Sequence, residues 1–116
     1  GKHVWCEKPM ALTLDDARAM ETAARALGRK TQLGYNYLAN PAVTHAARLL
    51  ADRVIGRLVH IRGWVDEDYQ ADPALPWTWR ATLHDAGLGA LGDIGCHLIS
   101  LMTAMAGPIC SRTQNR

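Results

Sequence analysis

The sequence predicts an α/β fold, and three observations carry that expectation. Short apolar runs of strand length alternate with longer helix-period stretches. The helix-period stretches open on capping residues or proline and close near glycine. The resulting order, strand–helix–strand–helix–strand–helix, is that of βα units stacked on a sheet.

Taken in order, residues 2–6 form the first strand, which Pro9 ends because it has no N–H for a ladder. Thr13 caps a helix over Asp15–Leu27, with Asp15 and Asp16 complementing the positive end of its dipole and Gly28 stopping it. Residues 31–35 read as a second strand. Pro41 then opens a second helix, where its missing N–H is harmless; it carries Val43, Ala46, Ala47, Leu49 and Leu50 and stops near Gly56. Residues 58–65 alternate, with Ile61, Gly63 and Val65 on one face, and read as a third strand. Residues 66–85 form a long polar and aromatic loop, a kind that often carries function. Residues 88–105 read as an apolar helix, despite glycines at 87, 89, 92 and 95 that each cost about 1 kcal/mol relative to Ala inside a helix. Close approach of another backbone or of a ligand is the expected compensation.

Composition narrows the function. A chain of 116 residues, 48% hydrophobic, can build the core of one ordinary domain. Its net charge of +2 is too small to imply a nucleic-acid or anionic-membrane partner. No uninterrupted apolar run approaches the roughly 18 residues of a bilayer span. Cys6, Cys96 and Cys110 match neither a disulfide framework nor a zinc site, so reduced thiols in a cytoplasmic protein are expected. The chain opens at Gly1 directly on a strand and closes on a polar, basic stretch, Gly107–Arg116, so both ends read as cut or processed.

Two groups of residues could carry chemistry. Glu7-Lys8-Pro9 ends the first strand, and Lys8–Pro9 is among the few bonds for which the cis form is accessible. Such a turn can present an ammonium to a cleft, with Glu7 near it, to hold a hydroxyl or carbonyl oxygen. Taken alone, the three residues more often mean a surface lysine beside a strand-ending proline. Asp93 and His97 are four apart, on one face of a helix, where a carboxylate can fix an imidazole's tautomer. A histidine buried for packing fits that pair slightly better in isolation, and a metal site lacks further ligands. Gly87-Leu88-Gly89-Ala90-Leu91-Gly92 spells a dinucleotide fingerprint, but no strand precedes it and no acidic residue follows Asp93. It is not a phosphate loop. Trp79 and Arg80 place an indole beside a guanidinium, able to stack on a ring or grip a phosphate. His3, His45, His60 and His84 are scattered and receive no role.

Taken together, Gly1 through Pro9, Gly34-Tyr35-Asn36-Tyr37 with Asn40-Pro41-Ala42, and Gly89 through His97 resemble the Gfo/Idh/MocA oxidoreductases over nearly the whole chain. The resemblance implies the end of a Rossmann-type NAD(P)-binding domain over residues 1–36. It implies the start of an open-sheet α/β substrate domain over 37–116. Lys8, Asp93 and His97 then match catalytic positions, with His97 the acid/base. Glu7, Lys8, Trp79 and Arg80 match the cofactor side, and Lys8, Tyr37, Asp93 and His97 the substrate side. Where many members carry Arg, this chain has Leu38. The implied cofactor is NAD or NADP, the implied substrate a sugar or polyol, and the implied assembly a homo-oligomer without nucleic acid or membrane. Because the family's glycine-rich loop lies upstream of this segment, the isolated chain is expected to bind cofactor weakly and to be inactive alone. The alternative is a non-catalytic relative that self-associates through unpaired strand edges.

Overall fold

The computed structural model describes residues 1–110; the basic residues 111–116 at the chain's end lie outside the described residues. Strand β1 (Val4–Cys6) leads through helix α1 (Leu14–Ala26) to strand β2 (Thr31–Leu33), and the two strands pair in parallel. The register sets Trp5 opposite Gln32 and Cys6 opposite Leu33. His3 reinforces the start of the pair, its Nδ1 accepting from the Lys30 N–H at 3.0 Å. Thr13 caps α1 as expected, accepting from the Asp16 N–H at 3.1 Å.

After β2 the chain makes a short 3-10 turn, Asn36–Ala39, and enters helix α2 (Pro41–Ala51), which packs on the last helix. Pro41 occupies the first turn and Asn40 caps it, accepting from the Ala42 N–H at 2.9 Å. The helix ends at Ala51, short of Gly56, and Arg53 turns the chain at φ 55°.

The alternating segment 58–65 corrects the first expectation. It forms no strand, because no other described segment lies beside it to complete a ladder. Its alternation is nonetheless real: Ile61, Gly63 and Val65 are half-buried while Arg62, Trp64 and Asp66 are exposed. A Cβ added at Gly63 would lie 2.7 Å from Leu98 Cδ1 and 3.0 Å from Met102 Cε. Glycine therefore lets this segment lie directly on the final helix.

The predicted helix over 88–105 is also altered. It is divided into α3 (Leu83–Ala86), a wide π turn over Leu91–Gly95, and α4 (Cys96–Ala106). Gly87 and Gly89 break the path at positive φ, 65° and 54°, which a residue with a Cβ rarely adopts. At Gly92 and Gly95 a Cβ would meet the Leu88 and Leu91 side chains at 3.2 and 2.8 Å, with the Ala86 and Ala90 carbonyl oxygens at 3.7 and 3.8 Å. The stretch Leu83–Ala106 is, by length and mean composition alone, apolar enough to cross a membrane, although His84, Asp85, Asp93 and His97 interrupt its apolar residues.

The expected core is missing among the described residues. No hydrophobic side chain is buried, and only Gly92 and His97 are. The accessible surface is 9846 Å², against about 6,200 Å² for a compact monomer of this mass. Two strands with short helices leave too few faces to enclose one another.

Candidate active site

The site forms where the end of β1 meets the π turn. Pro9 follows Lys8 through a cis peptide bond, and the lysine reaches across the fold to residue 93. Its Nζ donates to Asp93 Oδ1 at 2.6 Å and also to the Asp93 carbonyl. The pair is partly buried, with side-chain exposures of 17% and 15%. The second carboxylate oxygen accepts from the Tyr69 hydroxyl at 2.8 Å, and Arg80 Nε stands 3.6 Å from it. Partial burial alone would raise the Asp93 carboxyl. Hydrogen bonds from Lys8 and Tyr69, with the charges of Lys8 and Arg80, together outweigh it and hold the group below its usual range.

Asp93 is therefore bound to Lys8 rather than to His97, and no hydrogen bond joins the two residues that were expected to pair. The π turn supplies the reason: it interrupts the regular spacing that would stack positions 93 and 97. Nor is Glu7 paired with Lys8 among the described residues; its carboxylate stands near Gly34, where a Cβ would lie 3.1 Å from Oε2.

His97 sits at the first turn of α4, 4% exposed, and its Nδ1 has no hydrogen-bond partner among the described residues. Tyr37, delivered by the 3-10 turn, stacks on its ring at 4.2 Å and 20°, and Tyr35 meets it edge-on at 6.0 Å. Burial lowers the imidazole's pKa, and repulsion from Lys8 adds to that; Asp93 and Glu67 oppose it. The Tyr37 hydroxyl donates to Glu67 Oε1 at 2.9 Å, a bond that raises the phenol's pKa. Arg80 lies over the Trp79 ring at 4.5 Å.

Two cavities flank the Lys8–Asp93 pair. One, about 370 Å³, is lined by Glu7, Lys8, Trp79 and Arg80 among others. The other, about 610 Å³, is lined by Lys8, Tyr37, Asp93 and His97 among others. Tertiary structure thus gathers all seven residues singled out in the sequence. It adds two that were passed over, Glu67 and Tyr69, which also line the larger cavity. Neither was marked in the sequence, where both fall in the long polar loop after Val65. A third cavity, about 570 Å³ beneath residues 69–78, shares only Tyr69 with this region.

The fold is α/β, and the end of its first strand brings a lysine to a carboxylate near a buried imidazole. Residues 1–35 match an oxidoreductase family with an NAD-binding Rossmann fold, and residues 43–113 match the GFO/IDH/MocA C-terminal domain. The chain belongs to the Gfo/Idh/MocA oxidoreductase family. It is 38% identical over 107 residues to a levoglucosan dehydrogenase of Pseudarthrobacter phenanthrenivorans, covering 92% of this chain and 27% of that protein. It is 32% identical over 105 residues to a glucose-6-phosphate 3-dehydrogenase of Bacillus subtilis, covering 87% and 29%. An NAD binding oxidoreductase from Klebsiella pneumoniae superposes with a TM-score of 0.88 at 42% identity, over 94% of this chain and 29% of that one. The chain spans less than a third of the length of each of these relatives.

Proposed function

We propose that this chain forms the substrate end of an NAD(P)-dependent oxidoreductase that moves a hydride between nicotinamide and a hydroxyl-bearing carbon of a sugar or polyol. Residues 1–36 would close the nucleotide-binding domain and residues 37–116 open the substrate domain. The observation that carries the reading is the Lys8–Asp93 pair standing between the two cavities.

The residues fit a nicotinamide on one side of that pair. The smaller cavity offers the indole of Trp79 and the cations of Lys8 and Arg80, beside Glu7. NAD or NADP would supply the hydride acceptor or donor. In the larger cavity Lys8, held by Asp93, would grip the substrate oxygen and stabilise charge developing on it. His97, kept neutral by burial, would take the hydroxyl proton as the carbon is oxidised and return it in the reverse direction. Tyr37 covers the face of the imidazole and limits its access to water. Absorbance of reduced nicotinamide, followed with a panel of sugars and polyols, tests the reading. His97→Ala should lower turnover by about 10²–10⁴-fold, as loss of a proton-transfer group does. Unchanged turnover in that variant, or no turnover on any sugar or polyol with the rest of the nucleotide-binding domain present, would sink it.

A second reading, a self-associating module or homo-oligomer, draws on the unburied surface. Val4, Trp5, Leu83 and Leu88 are all exposed, and the two-stranded sheet has unpaired edges. Light scattering that finds only monomer would count against it.

A further inference from the structure

We infer that Glu67 and Tyr69 are positioning residues of this site, Tyr69 acting through Asp93 on Lys8 and Glu67 acting through Tyr37 on His97. The inference rests on the dehydrogenase reading for its consequence in turnover, while its geometry stands apart from it. The backbone explains why one segment serves both groups. Alternate residues of an extended chain point to the same side, and the inward side here runs through Ile61, Gly63 and Val65. Gly63 seats that segment against Leu98 and Met102 of α4, the helix that carries His97. Glu67 follows on that side, and a turn closed by the Ala71 N–H on the Asp68 carbonyl brings Tyr69 beside it, so that both line the larger cavity.

Each makes one directional bond there. With Tyr69 on Oδ2 at 2.8 Å and Lys8 on Oδ1 at 2.6 Å, both Asp93 oxygens are engaged, so the carboxylate cannot rotate without losing a partner. The ammonium it holds is fixed in turn. Glu67 fixes the tilt of Tyr37 through its hydroxyl at 2.9 Å, and that ring lies 4.2 Å from the imidazole. The segment thereby couples the lysine and the histidine, which share no direct bond.

The test combines titration with turnover. In Tyr69→Phe, only the donor is removed, so the Asp93 carboxyl carbon resonance should titrate at higher pH. The variant's kcat/KM should fall by about tenfold, the equivalent of one hydrogen bond to a charged group. In Glu67→Gln an acceptor remains and a negative charge is lost, so His97 should titrate at lower pH while Glu67→Ala loses more turnover than Glu67→Gln. Tyr37→Phe, which keeps the stack and frees Glu67, provides a second variant should either of the others unfold; its kcat should fall with the ring contact intact. A folded Tyr69→Phe with an unmoved Asp93 titration, or equal turnover in the two Glu67 variants, would overturn the inference. Shifted titrations without dehydrogenase activity, the rest of the nucleotide-binding domain being present, would instead sink only the proposed function.

Discussion

Asp93→Asn is the most informative single change, because it removes one charge while keeping the side chain's shape. In the native site Asp93 is bound by Lys8 and Tyr69 and approached by Arg80. Asparagine would leave two cations facing each other without a counter-charge, and its amide would turn a donor toward Tyr69 or Lys8. Breaking a fully buried pair costs about 3–5 kcal/mol and an exposed one about 0–1. With both side chains about one-sixth exposed, the loss here should lie between, about 2 kcal/mol, or ~30-fold in the folding constant. The sign with pH follows from the lowered carboxyl. Its contribution is fully present above the ordinary value of 3.8 and is lost as pH falls through the lower folded value. Urea unfolding of both proteins across a pH series measures the difference directly. The stabilities should diverge near neutrality and converge in acid. Equal stabilities at neutral pH, or a gap that persists unchanged into strong acid, would refute this account of the site.

Two further outcomes bear on other parts of the structure. His97 should titrate below the ordinary 6.5 by histidine-selective NMR, and Lys8→Met should move its midpoint upward by removing the nearby positive charge; a midpoint at or above 6.5 in the native protein would contradict its burial. Because the folded value is depressed, the stability tied to neutral His97 is complete above 6.5 and lost as pH falls through the folded value. Gly63→Trp should destabilise by about 1–3 kcal/mol, since shifts of the Leu98 and Met102 methyls that could clear a small side chain cannot clear an indole; an unchanged urea midpoint would show that the segment does not rest on α4.

Much of this was legible in the residues. Thr13, Asn40 and Pro41 set helix starts through local hydrogen bonding, which depends on a few neighbouring positions and so can be read from them. The motifs around Lys8 and Asp93, each more often structural on its own, pointed to a site only through the family resemblance they form together. What sequence left open was every relation between distant segments. Segment 58–65 has a strand's alternation, yet a strand exists only where another lies beside it, and among the described residues none does. Spacing alone paired Asp93 with His97, while the π turn and an 85-residue separation in sequence gave Asp93 to Lys8 instead. Glu67 and Tyr69 were invisible as functional residues until the fold laid them against Tyr37 and Asp93. The sequence by itself determined where α1 and α2 begin and which residue types are available for chemistry. Only the tertiary structure decided their partners, because hydrogen bonds and ion pairs depend on distances that chain spacing does not set.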